Sequence, residues 1–199
     1  RLNANESAAI ATLKNISSAQ AQCQASGVID ANNNGAGEFG FFGELSGADE
    51  VRINGGISAT EFISPAVLSN AFGNVANSQV VRSGYIFQMY LPGPAGTDFL
   101  AELATGGANS ATLPVANAAE VLWCAYAWPS SYGNSGKRAF FVNQSGDVMS
   151  CRNSTSQYGG TGNPPVAGTA AFRFANATMA STIAANATAQ DGEVWVVVN

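Results

Sequence analysis

The chain has 199 residues, a net charge of -5 and no histidine, with 46% hydrophobic and only 11% charged residues. A chain of this length suits one domain, or one domain with a large insertion, and buries about 70% of its unfolded surface without metals or staples. The sparse charge and the abundance of Gly, Asn, Ser and Ala fit an extracellular or cell-surface protein better than a cytosolic one. The acidic balance argues against nucleic acid, with Lys137-Arg138 as the one basic doublet.

Residues 1–27 read as a helix of roughly 39 Å. Leu2, Ala9, Leu13, Ile16 and Cys23 fall on one narrow face, with Ile10 at its margin and Gln20 in its midst. Two readings of its start stand side by side. Asn3 could be an N-cap with Glu6 completing a capping box, or the helix could continue from upstream.

Residues 26–56 are loop-like and hold DANNNG at 30–35, which reproduces the first half of an EF-hand loop. Position twelve is Phe41, so a calcium site would need a shortened loop with Asp30, Asn32, Asn34 and Glu38 as ligands. The competing reading is a polar turn. GAGEFG at 35–40 satisfies GxGxxG but lacks the preceding strand and following helix of a nucleotide site.

SPAVLSNAF at 64–72 predicts a short helix capped by Ser64, with Pro65 in its first turn. SQVVRSGYIFQMYLPG predicts two β segments broken near Ser83 and Gly84, the second ending at Pro92. Residues 93–118 read as a variable loop with one helical turn around Phe99 to Ala104. Residues 120–129 predict a strand, 139–151 a hairpin turning at Gln144 to Gly146, 158–168 a Gly/Pro-rich linker, and 193–199 a final strand. One long helix followed by antiparallel strands is an α+β layout.

The missing histidine excludes Ser-His and Cys-His nucleophiles, and a Ser-Lys dyad would have to use Lys14 or Lys137. The chain is not expected to be an enzyme. Three cysteines fit no zinc spacing. In a simple meander the strands of Cys124 and Cys151 are separated by a third, about 10 Å apart and too far to bridge, so Cys23 with Cys124 is the favoured disulfide. Sequons at Asn5, Asn15, Asn143, Asn153, Asn176 and Asn186 are candidate glycosylation sites. The aromatics Trp123, Tyr126, Trp128, Tyr132, Phe140 and Phe141 read as sheet core or, alternatively, as a glycan platform.

Four stretches, NESAAIATLKNISSAQAQCQASG, FGFFGEL, GYIFQMYLPG and YAWPSSYGNSGKRAFFVNQSGDV, together resemble bacterial type IV pilin-like and type II secretion pseudopilin-like proteins. The resemblance implies a pilin-like α+β fold: a single domain, residues 1–27 a helix packed on an antiparallel sheet, residues 28–199 the globular part with a loop insertion and a C-terminal strand. It implies that 1–27 is the second half of a longer helix whose apolar, membrane-spanning half lies outside this sequence. The implied function is a structural subunit that packs with its own copies into an extracellular filament or pseudopilus. Leu2, Ile10, Leu13 and Ile16 would then divide between the sheet and neighbouring subunits. The alternative is a secreted or surface-anchored module that binds glycans.

Overall fold

The computed structural model describes residues 1–96 and 98–198. Thr97, within the expected variable loop, and Asn199, at the end of the expected final strand, lie outside the described residues. In chain order the elements are α1 (Leu2–Ser26), α2 (Phe42–Leu45), β1 (Arg52–Ile53), β2 (Gly56–Ile57), a 3-10 turn (Asn70–Gly73), β3 (Gln79–Arg82), β4 (Tyr85–Pro92), β5 (Phe99–Ala101), α3 (Ala116–Ala119), β6 (Cys124–Pro129), β7 (Ala139–Asn143), β8 (Val148–Cys151), β9 (Ala187–Thr188) and β10 (Val194–Val198).

Helix α1 follows its apolar periodicity. Ala9, Leu13, Ile16, Ala19 and Cys23 are buried, and Leu2 and Ile10 are half-buried. Gln20 sits on the same face because both ends of its amide are satisfied. Its Nε2 donates to the Gly40 carbonyl at 2.8 Å, and its Oε1 accepts from the Gly40 N–H at 2.9 Å. Gly27, at φ +70°, ends the helix in the left-handed conformation that a residue with a Cβ adopts at a cost. The capping box expected at Asn3 is not formed, since Asn3 lies inside the helix. Glu6 instead accepts from the Lys137 and Arg138 N–H groups at 3.0 and 3.1 Å and pairs with the Arg138 guanidinium at 2.8 Å.

The strands form one sheet of eight, in the order β3-β4-β6-β7-β8-β10-β9 with β5 also on β4, beside a separate β1-β2 hairpin. The central strands are buried at every position, which is why CAYAWP, AFFVN and VMSC read as continuous apolar runs without alternation. This architecture corrects the expected fold class. The chain is mostly sheet, with one long helix and an eight-stranded antiparallel sheet, and not the pilin-like helix-on-sheet domain. The short stretches carrying the resemblance report which element forms locally. Strand number and order are set by distant pairings, such as Val196 opposite Ser150.

Three local expectations are also corrected. Residues 64–72 do not form a helix; the 3-10 turn begins at Asn70, with Ser69 Oγ accepting from the Ala71 N–H. Phe99–Ala101 is a strand, held by its register with Tyr90–Pro92 and an edge-on contact of Tyr90 and Phe99. The segment 158–168 is no free linker: Tyr158 is buried, and Trp128 Nε1 donates to the Gly160 carbonyl at 2.8 Å.

The chain divides into two compact units. The first comprises residues 1–14, 81–88 and 124 onward. Its core is aromatic: Tyr126 stacks at a tilt on Phe141, and Phe141 meets Phe172 edge-on. The Tyr126 hydroxyl donates to the Ala167 carbonyl at 2.8 Å and accepts from the Ala171 N–H at 3.2 Å, so the phenol is satisfied while its ring is buried. The second unit comprises residues 15–80 and 89–123. It buries Ile16, Ile29, Phe41, Phe42, Leu45, Val51, Phe72 and Trp123. Each such side chain contributes about 1.5 to 3 kcal/mol relative to exposure.

Candidate functional site

The densest charged cluster lies inside the second unit, around the single turn of α2. Glu44 Oε1 accepts from the Phe41 N–H at 3.0 Å and so satisfies a donor that the short helix leaves open. Glu44 Oε2 then takes the Arg52 N–H at 3.2 Å and Arg52 Nε at 3.1 Å. Arg52 is fully buried; its Nη1 donates to Glu38 Oε1 at 3.1 Å, its Nη2 to the Phe39 carbonyl, and its guanidinium lies 5.9 Å from the centre of the Phe41 ring. One cation thus serves two carboxylates. Burial pushes the Glu38 carboxyl above its ordinary range, outweighing the attraction of Arg52.

Among the described residues Glu102 has no cation. Its carboxylate accepts from the N–H groups of Phe42, Gly43 and Gly107 at 3.2, 3.1 and 2.9 Å. Burial, opposed by these three bonds, pushes it up to about 8. Asp49 packs against the same turn. A Cβ on Gly43 would lie 2.1 Å from Asp49 Oδ2 and 2.5 Å from the Gly107 backbone nitrogen, which cannot turn aside, so only glycine fits there. Asp49 Oδ2 is buried without a hydrogen-bond partner, and burial, followed by the charges of Glu50 and Glu44, raises its pKa. A cavity of about 260 Å³ opens beside it, lined by Asp49, Glu50, Ile57, Leu103 and Gly106 among others.

A second network pins the first unit. Glu193 accepts from the N–H groups of Asn153, Thr155 and Ser156 at 3.2, 3.0 and 2.7 Å. Asp191 accepts from the Tyr158 hydroxyl at 2.8 Å and from Trp195 Nε1. Asn153 donates to the carbonyls of Lys137 and Tyr158 at 2.8 and 3.0 Å and accepts from the Tyr158 N–H at 2.7 Å. Asp49 Oδ2 apart, both networks satisfy buried polar groups, and neither places a nucleophile beside a base.

The residues singled out from the sequence are distributed as follows. In the Asn-rich loop, Asp30 accepts from the Asn34 and Gly35 N–H groups, Asn32 Oδ1 from the Asn34 N–H, and Asn34 Oδ1 from the Ala36 N–H. Glu38 is turned to Arg52 and accepts from the Ala31 N–H at 2.6 Å. The four expected calcium ligands are thus engaged by backbone and guanidinium donors, and among the described residues no group of three His, Cys, Asp or Glu is disposed to hold a metal. Cys23, Cys124 and Cys151 are free and buried, so the expected Cys23–Cys124 bond is not formed. Strand β7 does lie between the strands of Cys124 and Cys151.

Of the sequons, Asn15, Asn176 and Asn186 are exposed. Asn5 is half-buried and donates to the Ser135 carbonyl at 2.9 Å, while Asn143 and Asn153 are buried and bonded within the fold. These last two are corrected as glycan sites, because both side chains are buried and the Asn153 amide nitrogen donates to the Lys137 and Tyr158 carbonyls. Trp123, Tyr126, Trp128, Phe140 and Phe141 are buried and Tyr132 half-buried, so these aromatics pack the core and offer no glycan platform. Leu13 and Ile16 are wholly within the core and cannot touch a neighbouring copy. Lys14 and Lys137 are exposed.

The clusters built on Glu44, Arg52, Glu102 and Glu193 escape a reading of the sequence by motif. Their signal is a single charge set in an apolar run, as in VRI and FLAEL, where an exposed residue would be out of place. Among the described residues no helix is long and apolar enough to cross a membrane. The chain matches no protein-family model, no curated protein and no solved structure.

Proposed function

We propose that the chain is a non-catalytic structural subunit of an extracellular filament of the type IV pilus or secretion-pseudopilus kind, joined to its own copies through α1. The observation that supports this reading is the outward face of the helix. Ala4, Ser7, Ala11, Lys14, Ser18, Ala21 and Ala25 are all exposed and alternate in steps of three and four, opposite the buried face. That spacing sets them on one face of the helix, and small side chains let helix backbones approach closely. The resemblance of NESAAIATLKNISSAQAQCQASG to the corresponding segment of pilin-like proteins points the same way. The contact positions are then the small residues of this face, with Lys14 among them as its one charge and Leu13 and Ile16 reserved for the fold.

The test is filament yield from cells producing the native chain, counted by electron microscopy. Ala11→Glu with Ser18→Glu should abolish filaments and leave the melting temperature of the isolated chain within about 2 °C, because both sites are exposed. Val121→Glu, an exposed control outside α1, should change neither. Normal filament yield from the double variant, or no assembly of the native chain at all, overturns the reading.

A further inference from the structure

We propose that Asn176 carries an N-linked glycan whose first sugar lies on the exposed ring of Phe174. A sequon is useful to a transferase only where the asparagine amide stands clear of the fold, and the fold separates the six Asn-x-Ser/Thr positions sharply on that ground. Asn143 and Asn153 are buried, and Asn5 donates its amide to the Ser135 carbonyl. Asn15 is exposed but held in the middle of α1. Asn186 is exposed as well, yet its N–H donates to the Trp195 carbonyl at 2.7 Å and its sequon runs into β9, where Thr188 pairs with Val194.

Asn176 differs from these five. It is exposed at φ +59°, a left-handed conformation that asparagine tolerates better than most residues, and its side chain makes no hydrogen bond among the described residues. The loop that carries it is fixed at its base: Phe172 bridges Ile183, the Arg173 N–H donates to the Thr182 carbonyl at 3.1 Å, and Gln190 Nε2 donates to the Phe174 carbonyl. Thr178 completes the sequon, its N–H donating to Ser181 Oγ at 2.8 Å. Phe174 is the independent observation. Its side chain is 62% exposed, and the Arg173 guanidinium lies 5.3 Å from the ring centre. Cα atoms two residues apart lie within about 7 Å, so a sugar on the Asn176 amide can reach that ring. The C–H face of a pyranose is apolar and packs flat on an aromatic face, which makes Phe174 a seat for the first sugar. Transfer is a substitution at the sugar's anomeric carbon: Asn176 Nδ2 forms the new bond, the bond to a polyprenyl-diphosphate donor breaks, the diphosphate leaves with the electron pair, and the amide gives up a proton.

The experiment uses the chain purified from the cells that make it. Mass spectrometry of its glycopeptides, with fragmentation that keeps the sugar attached, should place a glycan on residue 176 and none on residues 143 and 153. Thr178→Ala, which leaves Asn176 and its backbone in place, should abolish that glycan. The native chain should also melt about 3 °C above the same chain from a host without an oligosaccharyltransferase, and Phe174→Ser should shrink the gap to under about 1 °C. An unmodified Asn176 in the native chain, or a glycan that survives Thr178→Ala, overturns the site. A gap that Phe174→Ser leaves unchanged overturns the seating of the sugar on the ring.

Discussion

Replacing Arg52 by Met is the most demanding check on the buried cluster. Arg52→Met keeps a long apolar stem and removes the guanidinium bonds to Glu44 at 3.1 and 3.3 Å, to Glu38 at 3.1 Å, and to the Phe39 carbonyl. What remains is worse than a lost attraction, because Glu38 and Glu44 stay fully buried with no cation between them. Breaking a buried pair in this way costs about 3 to 5 kcal/mol, a large share of the roughly 5 to 15 kcal/mol that holds a domain together. A chain of this size should lose about 10 °C of melting temperature.

Urea unfolding followed by tryptophan fluorescence is the assay. Trp123 packs 6.3 Å from Phe39 and reports on the second unit. The triple variant Arg52→Met, Glu38→Gln, Glu44→Gln should recover most of the loss, since no buried charge is then left unpaired. Lowering the pH should also restore the single variant. Burial already raises the Glu38 carboxyl despite Arg52, and without Arg52 it rises further. A group so raised stabilises the fold at low pH, and that stabilisation is lost as pH rises through its folded value. A loss below about 1 kcal/mol, or a triple variant no more stable than the single one, would show that the cluster is not held by charge.

Four further outcomes are expected. Leu13→Ala should lower stability by about 2 to 5 kcal/mol in chemical denaturation, while Ala11→Ser on the opposite face should be nearly neutral. Asn153→Ala removes three buried hydrogen bonds and places alanine at φ +60°, so it should cost about 3 kcal/mol by the same measurement, against little for Asn15→Ala at an exposed helical site. Burial pushes the Cys23 thiol up to about 12 and the thiols of Cys124 and Cys151 higher still, so a thiol reagent should label none of the three in the folded chain and all three in denaturant. Asp30→Ala should destabilise by about 1 kcal/mol through loss of its loop bonds, equally with calcium and with chelator; a difference between the two melting curves would restore the calcium reading.

Where one segment decides its own shape, the sequence was a sound guide. The helix through Ser26 follows from its apolar spacing. The turn between β3 and β4 follows from Ser83-Gly84, both at positive φ, and that between β7 and β8 from Gly146 at φ +82°. Phe99–Ala101 shows the limit: FLAELA reads as helical, yet pairing with β4 makes its first half a strand. Strand order was equally hidden, because β10 pairs with β8 from a distant part of the chain, Val196 opposite Ser150. The buried charges were illegible for a related reason. Arg52 is tolerable inside only because Glu38 and Glu44 arrive from other segments, and no local pattern announces that meeting.

The division of the chain into two interleaved units bears on how the protein is made. The first unit takes its pieces from both ends of the chain and from residues 81–88, whereas the second draws only on residues 15–80 and 89–123. A ribosome therefore releases everything the second unit needs well before the first can close. The opening residues of α1 wait for partners that come much later, Glu6 for the Lys137 and Arg138 N–H groups and Asn5 for the Ser135 carbonyl. Pairings so distant in sequence are the costly ones to close, and no single cut would yield either unit as a separate, contiguous fragment.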